Sequence, residues 1–171
     1  MALTLDGNGT ITGLVAGGLP DATIVQADLA SGVAGNGPAF SAYQSSATSL
    51  SNATLTKILY ANETFDTNSN FASSRFTPTV AGYYQITASV AIQISGASYG
   101  VLRVNTTDVA WAYGSGIVGV LNSTPIVTKL VYLNGSTDYV EFYAEQRSGS
   151  TVNTDTNSTG TWFTGFLARS A

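Results

Sequence analysis

The sequence contains no cysteine and no histidine. Without cysteine there is neither a disulfide framework nor thiolate chemistry, so stability has to come from a buried core or from association of chains. Without histidine, the side chain that most often moves protons at neutral pH is missing, and Ser-His and Cys-His nucleophiles are excluded. Charge is scarce as well. Asp, Glu, Lys and Arg make up 9% of the residues, against roughly 25% in average soluble proteins. Six basic residues, none of them clustered, and a net charge of -4 leave no electrostatic footprint for a phosphate backbone, which argues against nucleic acid as a partner. No apolar run reaches the roughly eighteen residues of a membrane span, so no membrane insertion is expected. The opening MALTLDGNGT lacks the basic and apolar regions of a secretory signal, and the expectation is synthesis in a cytosol.

Thr, Ser, Asn, Gly and Tyr fill the polar positions instead, giving a neutral, hydroxyl-rich surface. At 171 residues the chain suits one well-buried domain plus an extension. The sequons at Asn52, Asn62 and Asn105 read as Asn/Thr-rich composition in a chain without a secretory route.

Aromatic residues are absent from residues 1–38, a segment of glycine and small side chains that cannot supply its own core. It is either a linker without fixed structure or an arm docked on a neighbour. Leu3–Leu5 and Thr10–Ile11 flank Asp6-Gly7-Asn8-Gly9, which predicts a tight hairpin. Pro20-Asp21 predicts a short helix over Ala22–Ala30, ended by Gly32 in the left-handed conformation.

From Ala39 onward the pattern is one of strands. Ala39–Ser46 opens the domain, and Leu55–Ala61 follows. Asp66–Asn70 is a cluster of turn formers, and Pro78 ends the strand at Arg75–Thr77. From Gly82, residues Tyr84, Ile86, Ala88, Val90, Ile92 and Ile94 share one parity, the signature of a half-buried strand. Tyr99–Asn105 and Asp108–Tyr113 predict a hairpin turning at Asn105-Thr106-Thr107. Gly114–Gly119 is a glycine-rich connection, Thr124–Leu133 a strand and Asn134-Gly135 a turn. In Thr137–Gln146, Val140, Phe142 and Ala144 face one side while Tyr139, Glu141, Tyr143 and Glu145 face the other. Arg147–Thr159 reads as a long exposed loop and Thr161–Ala168 as the last strand. Eight to ten short strands with polar turns define an all-β antiparallel sandwich.

Several of these motifs, in their order, resemble the globular C1q domain family of TNF-like jelly rolls. They are Phe40-Ser41-Ala42; Phe65-Asp66; Arg75-Phe76-Thr77-Pro78; Ala81-Gly82-Tyr83-Tyr84; Leu133 to Val140; and Thr161 to Leu167. The likeness spans about three quarters of the chain, a single-domain length. It implies a jelly-roll head over residues 39–171 with residues 1–38 as an extended N-terminal arm. It also implies family-pattern core positions at Phe40, Phe76, Gly82, Tyr84, Val140, Phe142, Phe163, Gly165 and Phe166. Tyr83, Tyr139 and Tyr143 stand on the parity opposite the core, where a large aromatic side chain suits an interface. In the resembled family these strands lie near the threefold axis of a compact trimer, so the three tyrosines are expected at a homotrimer contact.

Catalytic and metal motifs are weak. Glu141 and Glu145 share a strand face near Asp138, a conceivable carboxylate pair for a carbohydrate-active enzyme, although such residues are commonplace on half-exposed strands. Asp66-Thr67-Asn68-Ser69-Asn70 begins like a calcium loop, but Phe71 stands where glycine is required and Thr77 where the terminal glutamate is required. Asn153–Thr159 offers only Asp155 as a charged ligand. The glycine runs at Gly7–Gly18 and Gly114–Gly119 lack the context of a phosphate site. No cofactor and no metal are therefore expected. A glycine-rich N-terminal segment joined to a C1q-like head is similar to the plan of bacteriophage fibre and virion-surface proteins. That resemblance implies a non-enzymatic trimeric structural protein on the virion surface. Residues 1–38 would dock on other virion proteins and the head would face outward, with a host-surface glycan as a candidate partner. A purely architectural cement protein without a ligand is the alternative. Asn105–Asp108, Gly114–Gly119 and Arg147–Thr159 are the candidate ligand loops.

Overall fold

The computed structural model describes residues 36–116 and 123–171, together with two short strands in the N-terminal segment. In chain order the strands are β1 (Thr4–Leu5), β2 (Ile11–Thr12), β3 (Ala39–Tyr43), β4 (Ser49–Leu50), β5 (Thr56–Lys57), β6 (Asn62–Asp66), β7 (Phe71–Ala72), β8 (Arg75–Phe76), β9 (Gly82–Ser89), β10 (Ala97–Val104), β11 (Thr107–Ser115), β12 (Ile126–Leu133), β13 (Val140–Gln146), β14 (Val152–Asn153) and β15 (Trp162–Ser170). Among the described residues every regular element is a strand. The chain divides into two compact units, Met1–Ala30 and Ser31–Ala171. In the first unit β1 and β2 pair antiparallel, Thr4 with Thr12 and Leu5 with Ile11, which is the predicted hairpin. The helix expected over Ala22–Ala30 and the end of the glycine-rich connection, residues 117–119, lie outside the described residues.

The second unit is a sandwich of two antiparallel sheets. The first sheet has the order β12-β9-β15-β3-β6, and the second β11-β10-β13-β8-β7 with β5 also on β13. Neighbours in space are mostly distant in sequence, so the connections cross from sheet to sheet. Period-two alternation explains which face of each strand is buried. In β9 the residues Gly82, Tyr84, Ile86 and Ala88 are buried while Tyr83 is exposed. Phe40 joins the two layers. Its ring stacks on Phe76 of β8 at 4.4 Å and on Phe71 of β7 at 4.9 Å, and meets Phe163 of β15 edge-on at 4.9 Å. Phe40, Phe76, Tyr84, Val140, Phe142 and Phe163 are fully buried, and Gly82 and Gly165 are buried with them. Gly165 leaves room for the side chains of its two register partners in the same sheet: a Cβ there would meet Phe40 Cε1 at 2.8 Å and Ile86 Cδ1 at 2.5 Å.

Phe166 does not belong to this core. It is 52% exposed, because Phe163, Gly165 and Leu167 take the inward parity of β15 and leave Phe166 on the outward one. Leu167 fills the position instead, 2% exposed. Two boundaries also differ from expectation. The strand starting at Gly82 ends at Ser89, after which Ile92 stays buried, exchanges a pair of backbone hydrogen bonds with Ser123, and is bridged opposite Thr154 through the bonds of Gln93 to Asn153 and Asp155 to Ala91. The segment expected as one long loop contains β14, paired with β4. There Thr154 donates to Gln44 Oε1 at 2.5 Å and accepts the Thr48 N–H at 2.8 Å, a buried polar knot that pins the segment down. At the N-terminal edge, the Leu167 N–H donates to the Pro38 carbonyl at 3.0 Å. Pro38 is therefore tied to the edge of the sandwich.

Candidate functional site

The outward face of the first sheet is built by three adjacent strands. Register places Tyr132 of β12 opposite Tyr83 of β9, and Leu130 opposite Gln85, which in turn lies opposite Phe166 of β15. Tyr83 and Tyr132 meet edge-on with ring centroids 5.5 Å apart. Phe65 of β6 extends the strip to the far edge of the sheet. These five side chains are each 44–52% exposed. Between them lies a band of neutral hydrogen bonds, Gln85 Nε2 to Thr128 Oγ1 at 2.8 Å and Thr87 to Thr128 at 2.9 Å. A cleft of about 590 Å³ at one end is lined by Tyr83, Leu130, Arg169 and the C-terminal residues. Apolar and aromatic side chains next to satisfied hydroxyls have the character of an interface centre, where charge is depleted and tyrosine enriched.

The outward face of the second sheet is different in character. Glu141 of β13 points outward yet is buried, covered by Lys57, Arg75 and Tyr143. Lys57 Nζ and Arg75 Nε both donate to its Oε1, at 2.6 and 2.8 Å, and the Tyr143 hydroxyl donates to Oε2 at 2.9 Å. Burial by itself raises the carboxyl pKa. The three donors outweigh it and hold Glu141 below the ordinary glutamate value of 4.5. Burial and the neighbouring carboxylate push the Tyr143 hydroxyl up, so it remains a donor. The Arg75 guanidinium lies 3.7 Å from the centre of the Tyr139 ring, and Arg103 lies 4.9 Å from that of Tyr143, cation–π contacts that cover both tyrosines. Beyond this network, toward the β11 edge, Tyr99, Trp111 and Tyr113 form an open aromatic shelf. Register places Tyr99 opposite Tyr113 and Val101 opposite Trp111.

Several solved structures share this shape. The globular domain of zebrafish complement 1qA superposes with a TM-score of 0.56 at 15% identity, covering 78% of this chain and 99% of its own. Murine APRIL superposes at 0.60 with 9% identity, covering 76% and 98%. The domain is a C1q/TNF-like jelly roll. The vertex protein P5 of PRD1 shares the jelly roll at a TM-score of 0.54 and 15% identity, over 76% of this chain and 96% of its own. No protein-family model matches the chain, and no curated protein matches it in sequence.

The jelly roll separates the three tyrosines predicted to share a face. Tyr83 lies on the first sheet, whereas Tyr143 lies on β13 of the second and Tyr139 directly precedes that strand, and the outward faces of two packed sheets point in opposite directions. Parity along one strand says which side is outward; it does not say which sheet the strand joins. Tyr83 stands with Leu130, Tyr132, Phe65 and Phe166, none of which was singled out for that face from sequence. The alternation in ITASV and IVTKLVYL contains the signal, once β9 and β12 are known to be neighbours.

The predicted carboxylate constellation is dispersed. Glu141 is locked by two cations, Glu145 accepts from Arg147 Nε at 2.7 Å, and Asp138 accepts from Asn105 Nδ2 and the Asn134 N–H, each at 3.0 Å. Asp138 thereby ties together two turns. In the segment resembling a calcium loop, Asp66 accepts the N–H groups of Asn68 and Phe71, so it shapes the turn. Among the described residues no group of three or more acidic, cysteine or histidine side chains converges as metal ligands would. No helix among them is long and apolar enough to cross a membrane.

Proposed function

We propose that the chain is a non-enzymatic structural protein of a bacteriophage particle whose jelly-roll head self-associates as a trimer. The observation that carries this reading is the uncharged strip of Tyr83, Leu130, Tyr132, Phe166 and Phe65 on the first sheet. Five half-exposed large side chains on one face are a feature of the kind that marks an association surface. Burying the remainder of each contributes roughly 1 kcal/mol per side chain, several per interface. The likeness to the PRD1 vertex protein supports the virion setting, with the N-terminal unit attached to other virion proteins and the head turned outward. The state of Glu141 weighs against the enzymatic alternative: a carboxylate held by two cations and a hydroxyl is a poor proton carrier.

Light scattering on the purified chain tests the trimer. Three times the 17.6 kDa chain mass is expected, and Leu130→Lys combined with Tyr132→Ser should release monomers that keep the strand circular dichroism of the parent. A monomeric parent chain would overturn the assignment. A chain starting at Ser31 is expected to remain a trimer and to lose attachment to particles. Attachment without residues 1–30 would remove the role given to the N-terminal unit.

A further inference from the structure

The aromatic shelf on the second sheet is used by neither the core nor the proposed trimer face. Trp111 is 68% exposed and Tyr113 is 56% exposed. Both stand on β11, which forms the outer edge of its sheet. Tyr99, from the neighbouring strand, fixes their arrangement. Its ring lies 5.4 Å from that of Tyr113, edge-on, and 6.3 Å from that of Trp111. Beside the rings lies a cleft of about 220 Å³ lined by Leu55, Tyr99, Trp111, Asp108, Glu145 and Arg147. Its charged groups are already paired: Arg147 with Glu145 at 2.7 Å and Arg103 with Asp108 at 2.6 Å. Arg147 also lies 5.3 Å from the centre of the Tyr99 ring.

We propose that this shelf is a binding subsite for a neutral hexopyranoside, the terminal sugar of a surface glycan. The inference rests on the reading of the jelly roll as an outward-facing virion head and names what that head recognises. A pyranose ring has one face of C–H groups and a rim of hydroxyls. The partial positive charge of those C–H groups suits the negative face of an exposed Trp or Tyr ring. The hydroxyl rim suits carboxylate and guanidinium edges, which accept and donate respectively. Trp111 and Tyr113 supply the faces, and Glu145, Asp108 and Arg147 supply the edges. Two carboxylates matched by two guanidinium groups make the site neutral overall, which favours an uncharged sugar over a phosphate or a sialic acid. A second copy of the chain is better matched by the uncharged strip on the opposite sheet.

The test uses the full-length chain carrying Trp162→Phe, which leaves Trp111 as the sole tryptophan reporter. Methyl glycosides of glucose, galactose, mannose, rhamnose and N-acetylglucosamine are titrated, with N-acetylneuraminic acid and a neutral peptide as contrasts. A saturable blue shift with at least one neutral glycoside is expected. In saturation-transfer NMR on otherwise native protein, Trp111→Ala should weaken that binding by about tenfold or more, and Glu145→Gln by a smaller factor. Absence of a response to every neutral glycoside overturns the proposal. So does a response to the peptide or the charged sugar alone, or binding unchanged in Trp111→Ala. Light scattering on the same samples separates the two readings. A trimer that binds no sugar leaves the structural role standing as a ligand-free cement protein. A monomer that binds sugar sinks the trimer and keeps the subsite.

Discussion

At the scale of single residues, Glu141 shows how a chain with few charges uses one of them. Its carboxylate joins Lys57 of β5, Arg75 of β8 and Tyr143 of its own strand, so it connects three strands of the second sheet. Replacing it by Gln leaves two cations without their counter-charge and the Tyr143 hydroxyl without its acceptor, and is expected to cost about 1–3 kcal/mol at neutral pH, measured by denaturant unfolding. The pH dependence follows from the direction of its shift. The folded-state pKa lies below the ordinary 4.5, so the stabilisation is fully present above that value and is lost as pH falls through the folded pKa. The melting temperature of the parent chain should thus drop below pH 4.5 more steeply than that of Glu141→Gln, which has no proton to take up at this site. Equal slopes would show that other carboxylates dominate acid unfolding. Phe163 and Phe166 make a second contrast at this scale. Phe163→Ala opens a cavity beside Phe40 and should cost about 3–5 kcal/mol, whereas Phe166→Ser should leave circular dichroism unchanged and weaken self-association.

At the scale of elements, β15 holds the first sheet together, paired to β9 on one side and β3 on the other. Its existence was legible, as a last strand over Thr161–Ala168, but the inward parity that excludes Phe166 was not, and its glycine has a geometric reason in the approach of Phe40 and Ile86. Gly165→Val is expected to destabilise by about 1–3 kcal/mol through overpacking, with the loss read from the denaturation midpoint. Other elements were harder to read. β6, Asn-Glu-Thr-Phe-Asp, has mostly exposed residues and lacks the alternation that marks a half-buried strand, because it is a sheet edge whose pairing to β3 comes from the backbone. Likewise β14 is two residues long in a Ser/Thr/Asn-rich stretch, and its order derives from Gln44 and Thr48, over a hundred positions away. A short polar strand carries no periodic signal of its own; its partner supplies the reason for it.

At the scale of the whole molecule, the two sheets divide the labour. One outward face carries five half-exposed large side chains with Arg169 at one end, and is the face proposed to meet copies of the same chain. The other combines an ionic network with an aromatic shelf. If the first face is a trimer contact, thermal stability should depend on protein concentration, rising as the chain is concentrated, and Leu130→Lys with Tyr132→Ser should abolish that dependence. The sequence by itself determined the all-β class, the hairpin turning at Asn105-Thr106-Thr107, the inward parity of Tyr84 and Phe142, and the absence of thiol and histidine chemistry. These follow from composition and from a side-chain period of two, both local properties. Only the tertiary structure decided that Tyr83 belongs with Leu130 and Tyr132 while Tyr143 lies on the other sheet, with Tyr139 directly before its strand. It also decided that Glu141 is locked and that Trp111 is open. The physical reason is that parity fixes the side of a strand, whereas the neighbours on that side are chosen by backbone pairing between segments far apart in the chain.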